Sequence, residues 1–404
     1  MKYALSEAAL PLGFRFAATA CGLKKTGALD LALLSSDVPA SAAAVFTQNL
    51  VVAPPVVVSK ANLRASKGRM RGVIVNAGNA NCATGPAGLA ASLKTVEETA
   101  RRLNCHPREV FVCSTGVIGV PLPLEKILRA LSGITRNRRP SARSFAELSL
   151  AICTTDTRPK TAATSFNMAG RRIHFLGCAK GAGMIHPNMA TTLAFVVTDA
   201  AISPALLQKT LRDVTTRTFN AISIDGDTST NDTLLVLANG EAGAPSIKPG
   251  TSAYRAFARG LEEVCRSLAL QIVADGEGAQ HVIELDVRGA KTDADALRIA
   301  QTIATSPLVK TALAGGDPNW GRIFAAAGRS GVKFDPGLVD IHMAGIPVLR
   351  RGQPVDFNER AASNRLLEKH ISIVLHLHAG GASVRYWTCD FTAEYVRINA
   401  SYRT

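Results

Sequence analysis

Residues 180–200 read KGAGMIHPNMATTLAFVVTDA, a glycine-rich, polar approach that passes without a break into a buried-strand run. Leu193 to Thr198 are apolar and partly β-branched, the composition of a strand covered on both faces. Loop and strand therefore meet at two adjacent hydroxyls, Thr191 and Thr192. A hydroxyl attacks a carbonyl only when a base takes its proton. One way to supply that base is to make the hydroxyl residue N-terminal, so that its own α-amine serves. With an ordinary pKa of about 7.7–8.0, such an amine is partly neutral near pH 7. The Ala190–Thr191 bond would have to be cut first, by attack of the Thr191 hydroxyl on the Ala190 carbonyl and hydrolysis of the resulting ester. A small residue ahead of the bond and glycines nearby fit the strained geometry of that step. A glycine-rich loop ahead of an ordinary strand is the alternative that these residues alone leave open.

Elsewhere the chain repeats this grammar of apolar runs ending in small polar loops. Leu31–Leu34, 72–76, 109–113, Thr233–Leu237 and Ile283–Val287 read as strands. So does Val56 to Ser59, three valines just after Pro54-Pro55. The run at 72–76 leads into Ala77–Gly85, dense in Gly and Asn, which reads either as a site-lining loop or as a turn before the next helix. The run at 109–113 leads into Ser114-Thr115-Gly116, a small-residue turn whose backbone N–H groups could stabilise an oxyanion.

Amphipathic helices are expected at Leu89–Leu103, 123–131, 145–153, Ala205–Thr218, Tyr254–Val273 and Asp293–Ala304. Residues 340–356 read as a β-meander, and Ser372–Leu377 and Ser383–Cys389 as strands around a glycine turn. Thr154–Arg158 reads as a polar loop closed off by Pro159. Glu277 sits between two glycines, which predicts an accessible carboxylate. Asp225–Asp232 has a calcium-loop look but no Glu at the twelfth position, so it reads as a polar turn. The apolar C-terminal tail reads as docked rather than frayed. Strands and helices alternate throughout, which predicts an α/β or α+β class.

No apolar run reaches the 18 or so residues of a membrane helix, and no secretory leader is evident at the N-terminus. Eight cysteines without a CxxC pair read as reduced thiols in a cytoplasmic protein, and no metal motif is found. The net charge of +15 lies entirely before the candidate scissile bond: 24 basic and 9 acidic residues precede Thr191, and 22 of each follow. A solvated basic surface accounts for this better than nucleic-acid binding, since aromatic residues are only 5% and no recognition module is present.

Eight of these stretches together resemble the ornithine acetyltransferase (glutamate N-acetyltransferase) family of arginine biosynthesis. They are VNAGNANCATG at 75–85, STG at 114–116, TTDTRPK at 154–160, KGAGMIHPNMATT at 180–192, DGDTSTNDT at 225–233, ADGEGA at 274–279, GGDPNWGR at 315–322 and YVRINASYRT at 395–404. The resemblance covers essentially the whole chain, in order. It implies a self-cleaving precursor cut between Ala190 and Thr191, giving chains 1–190 and 191–404 that stay one folded unit. It implies Thr191 as the nucleophile, Thr115 and Gly116 as the oxyanion hole, and Thr154, Lys180, Thr191, Glu277, Asn399 and Thr404 as substrate contacts. The implied fold is α/β, with β-sheets sandwiched between helical layers. It is similar to self-processing enzymes that use an N-terminal nucleophile, but has its own topology.

The implied reaction moves acetyl from N2-acetyl-L-ornithine to L-glutamate, with acetyl-CoA as a second donor in some members. No cofactor, metal, nucleic acid or membrane is implied, and the assembly is a heterotetramer of two chain pairs. The chain departs from the family pattern at Thr192, where methionine is usual, and at His186, where alanine is frequent. An amidohydrolase or aminopeptidase with the same nucleophile, giving the acyl group to water, is the competing reading.

Overall fold

The computed structural model describes residues 6–186 and 192–401; Ala190, Thr191 and Thr404 lie outside the described residues. Two sheets organise the molecule. The larger contains β1 (Phe14–Thr19), β2 (Leu31–Phe46), β3 (Arg69–Asn79), β4 (Val110–Val117), β5 (Lys160–Met168), β6 (Arg171–Lys180), β7 (Leu193–Thr198) and β8 (Thr233–Ala238). Its order is β4-β3-β2-β8-β7-β6-β5, with β1 also pairing to β2. The smaller is ordered β12-β11-β10-β13-β9-β14, built from β9 (Val282–Ala290), β10 (Asp340–Met343), β11 (Ile346–Arg350), β12 (Gln353–Pro354), β13 (His370–His376) and β14 (Ala382–Cys389).

β7 and β8 come from the chain after residue 191 yet lie between β2 and β6, which come from before it. Segments 1–190 and 191–404 thus interleave in one sheet and are not separate lobes.

Strand periodicity assigns the faces. Ala194, Val196, Leu234 and Val236 point to one side, where they meet Leu207 and Leu211 of α5 (Pro204–Arg217) and Leu261 and Leu268 of α6 (Ser252–Val273). That core continues into the second sheet and α7 (Asp293–Ala304). Leu193, Phe195, Val197, Leu235 and Leu237 point to the other side, against Phe145 and Leu148 of α4 (Ala142–Ala151). A third core packs β2–β4 against α2 (Gly85–Leu103) and α3 (Leu124–Arg136). This is the α/β arrangement of sheets between helical layers. Among the described residues no helix is long and apolar enough to cross a membrane. All eight cysteines are free thiols, six of them buried.

Three expectations are corrected. Val56–Ser59 is not a strand but part of α1 (Pro54–Ala65). Pro at the first helical position needs no N–H partner and pre-sets φ, which outweighs the β-branched run. The helix covers the free edge of β4: Ser59 Oγ donates to Val112 O at 2.8 Å and accepts from Val112 N at 2.9 Å. Second, Ala77–Asn79 and Ser114–Gly116 are not turns; both lie within paired parallel strands, Ala77 opposite Thr115 and Gly78 opposite Gly116. Third, β13 and β14 do not pair around their glycine turn, because β9 lies between them. The Gly-rich run at 315–319 follows α8 (Pro307–Ala314) and gives way at Trp320 to α9 (Trp320–Gly328). α10 (Glu359–Leu366) and the docked tail α11 (Ala393–Ser401) complete the chain.

Candidate active site

The ends of β4, β6, β7 and β8 converge on a cavity of about 140 Å³. Of the residues implied by sequence, Thr115, Gly116, Thr154, Lys180, Glu277 and Asn399 all line it. These residues span nearly 300 positions of chain, so only the fold assembles them.

β4 brings in Thr115 and Gly116 side by side. Gly116 has φ 132°, and a Cβ there would stand 2.4 Å from Gly78 C and 2.5 Å from Asn79 N. Only glycine permits this approach of β3 to β4 at the cavity wall. The wall is pinned by Asn231, itself a lining residue, which donates to Ala80 O at 2.7 Å and Ser114 O at 2.9 Å. β6 ends in Lys180, whose Nζ donates to Thr115 Oγ1 at 3.3 Å. Thr192, at the mouth of β7, donates its hydroxyl to Lys180 O, and its own carbonyl accepts from Thr233 N at 2.9 Å.

The 154–158 loop is fixed by a buried ion triad. Lys160 Nζ lies 2.5 Å from both Asp156 Oδ1 and Asp275 Oδ2, with all three side chains at most 3% exposed. Asp156 also accepts from Gly181 N at 2.6 Å and Thr154 N at 2.9 Å. Burial opposes its ionisation, but the charges of Lys180 and Lys160 and these donors hold the carboxyl down at about 2. The triad thereby ties the Thr154 loop to the end of β6 and to the Gly-rich loop that carries Glu277.

Glu277 is only 8% exposed, contrary to the accessible carboxylate expected between two glycines. Its Oε2 accepts from Asn399 Nδ2 at 2.8 Å, and its N–H donates to Ala182 O. Gly183 leaves room for it: a Cβ there would meet Glu277 Oε2 at 2.5 Å. Gly278 (φ 72°) likewise lets α11 pack close, since a Cβ would lie 2.6 Å from Tyr395 N. The tail thus helps to wall the cavity.

Sequence reasoning set aside the acidic run at 225–232 as a polar turn, and Asp225, Asp227 and Asp232 nevertheless line the cavity. Asp225 accepts from Met184 N at 2.6 Å and Ile185 N at 2.8 Å, holding the chain just ahead of residues 187–191. Burial raises its pKa. The parallel pairing of β7 with β8, which puts the 225–232 loop beside the 181–192 loop, was the missing signal. Among the described residues no cluster of three or more His, Cys, Asp or Glu is arranged to hold a metal ion. Chemically, the cavity offers one lysine, several carboxylates, and hydroxyl and backbone groups at a strand end. That set suits a small zwitterionic ligand and acyl chemistry.

A model of the ArgJ family matches residues 15–404. The arginine biosynthesis bifunctional protein ArgJ of Symbiobacterium thermophilum is 46% identical over 406 residues, covering 100% of each chain. Its namesake in Thermus thermophilus is 48% identical over 395 residues, covering 98% of this chain and 99% of its own. The crystal structure of arginine biosynthesis bifunctional protein argJ from Bacillus halodurans is 43% identical with a TM-score of 0.51, and the match covers 52% of this chain and 98% of that one. On the family match and these full-length identities, the chain belongs to the ArgJ family.

Proposed function

We propose that this protein transfers the acetyl group of N2-acetyl-L-ornithine to L-glutamate, through an acetyl ester on Thr191, in arginine biosynthesis. The observation that carries the reading is the convergence of Thr115, Gly116, Thr154, Lys180, Glu277 and Asn399 on one cavity that Thr192, the residue bonded to Thr191, also lines. In the first half-reaction the Thr191 hydroxyl adds to the acetyl carbonyl. Its proton passes to the Thr191 α-amine, and the carbonyl electron pair moves onto oxygen, facing Thr115 and Gly116. Collapse breaks the C–N bond, the amine returns its proton to the leaving ornithine nitrogen, and the acetyl group stays on Thr191. Glutamate then enters, and its amine reverses the sequence. Lys180 suits a substrate carboxylate; Glu277 suits the ammonium of ornithine.

The α-amine exists only if the Ala190–Thr191 bond is cut, which makes 1–190 and 191–404 the mature chains. A Bacillus halodurans chain matching about half of this one over nearly its full length supports that reading. Two such pairs form the proposed heterotetramer, acting in the cytoplasm with Thr404 as a further substrate contact and no cofactor. Acetyl-CoA enters only as a second donor.

The test follows [14C]acetyl from acetylornithine with the purified protein. Transfer to glutamate is expected, with a second chain that begins at Thr191. Release of acetate, unchanged by glutamate, would favour the amidohydrolase. Thr191→Ala should give one uncut chain without transferase activity, and full activity from uncut wild-type protein would sink the mechanism. A parallel assay with acetyl-CoA decides the second donor.

A further inference from the structure

Three buried side-chain atoms have no hydrogen-bond partner among the described residues: Arg102 Nε, Asp232 Oδ2 and Asp390 Oδ2. Leaving such an atom unpaired is costly, and a carboxylate oxygen is the costliest of them to strand. Asp390 is not among the residues lining the reaction cavity, and its other oxygen, Oδ1, accepts from Gln280 N and His281 N, both at 2.9 Å. Asp232 differs in position. It is 2% exposed and borders the reaction cavity with Thr115, Lys180 and Thr192.

The strand register says what Asp232 stands beside. β7 and β8 run parallel with Leu193 opposite Thr233, and Thr233 N donates to Thr192 O at 2.9 Å. Asp232 and Thr192 therefore stand at the same end of neighbouring strands. The residue bonded to Thr192 is Thr191.

We propose that Asp232 is a positioning residue for the nucleophile, its carboxylate receiving the α-ammonium that forms at Thr191 when the amine takes up the hydroxyl proton. This rests on the reading that Thr191 becomes N-terminal. In the uncut chain, burial pushes the Asp232 carboxyl well above its ordinary range, against the pull of the Ser229 hydroxyl and the Lys180 charge. Cutting the bond supplies the missing partner. The buried carboxyl gives its proton to the new amine, and a carboxylate–ammonium pair results; loss of one proton from that pair to solvent leaves the active form, a carboxylate beside a neutral amine. When the amine then takes up the hydroxyl proton the pair re-forms, so it favours the transition state over the active form with its neutral amine. It also fixes the amine's direction, much as a buried carboxylate orients a catalytic imidazole.

The sign of the pH effect follows. A facing carboxylate raises the amine's pKa, and activity needs the neutral amine. The other charged groups lining the cavity are Lys180, Asp225, Asp227 and Glu277, and all stay in place in the test variant. Asp232→Asn should still be cut before Thr191, because the cut uses the hydroxyl before any amine exists. Its kcat should fall about 10- to 100-fold with KM within about twofold. The acidic limb of kcat/KM should move to lower pH, and Asp232→Glu should recover part of the loss.

Unchanged kcat and pH limb in Asp232→Asn would overturn the proposal. A kcat loss with the limb unmoved would overturn it as well, since that marks a purely structural role. A measurement on wild-type protein covers the case of a variant that fails to fold. With 15N-threonine label, the Thr191 α-nitrogen should titrate above about 8, and a value at or below the ordinary 7.7–8.0 overturns the pairing. Wild-type protein without a chain starting at Thr191 defeats the parent reading itself, which is a distinguishable result.

Discussion

Two groups of carboxylates, one anchoring the loops around the cavity and one lining it, are treated in opposite ways. Asp156 and Asp275 share Lys160 and have every described oxygen engaged, by the ammonium, by backbone N–H groups or by the Thr157 hydroxyl. Asp225, Asp227, Asp232 and Glu277 have no lysine or arginine among their described salt bridges, and Asp232 Oδ2 has no hydrogen-bond partner among the described residues. A satisfied buried triad is rigid and electrically closed, so it can position loops but has nothing left to offer a ligand. Carboxylates left short of cations attract one, and the substrates of the proposed reaction carry amines. The division also follows the chain. The cavity's lysine and its Thr115–Gly116 pair come from before residue 190, and its aspartates and Glu277 come from after residue 191. Neither segment holds a complete site.

The comparison breaks if the triad takes part in the reaction. Lys160→Met leaves two buried carboxylates without their cation and should cost about 3–5 kcal/mol in denaturant unfolding. Activity of the fraction still folded at 10 °C should stay within several-fold of wild type. Loss of kcat without loss of stability would place Lys160 in the chemistry instead. The same substitution has a pH signature. Asp156 is held at about 2 when folded, below its ordinary 3.8, so its contribution is present above about pH 4 and is lost as pH falls through 2. Removing Lys160 should shift acid unfolding to higher pH.

Gly116→Ala sharpens the cavity side. The new Cβ collides with backbone of β3, displacing Thr115 and residue 116 from the cavity wall. A kcat loss of about 10²-fold is expected, the scale of one lost oxyanion donor, with folding largely retained by circular dichroism. The smallest effect is expected for Asn399→Ala. It removes one hydrogen bond to Glu277 and should raise KM for acetylornithine about 3- to 10-fold at constant kcat. If kcat falls and KM does not, Asn399 serves the reacting centre rather than the ammonium subsite.

Much of this was legible before folding was considered. The strand Leu193–Thr198 and the helix Asp293–Ala304 lie where their patterns put them, because each is decided by its own residues. In the helix, Thr292 accepts from Asp295 N, and the apolar spacing does the rest. Six of the residues that line the cavity were also legible as parts of motifs. The failures share a cause. Val56–Val58 looked like a strand because valines favour one, but their buried face meets the edge of β4, a partner more than fifty residues away. Ser372–Leu377 and Ser383–Cys389 looked adjacent because they are close in sequence, while β9, some ninety residues earlier, separates them. Asp225 and Asp232 looked like parts of a polar turn because the run between them is Gly, Asp, Thr, Ser, Thr and Asn.

By itself the sequence determined the α/β class, most strand and helix positions, the family, and the hydroxyl at the mouth of a buried strand. Those depend on local period, capping and residue chemistry, which act over a few residues. Only the tertiary structure decided that β7 and β8 sit between β2 and β6, that Glu277 is buried against the tail, and that Asp232 lines the cavity with one oxygen unpartnered among the described residues. Strand order and burial are set by contacts between distant segments. A carboxylate's meaning therefore depends on what the fold brings to it.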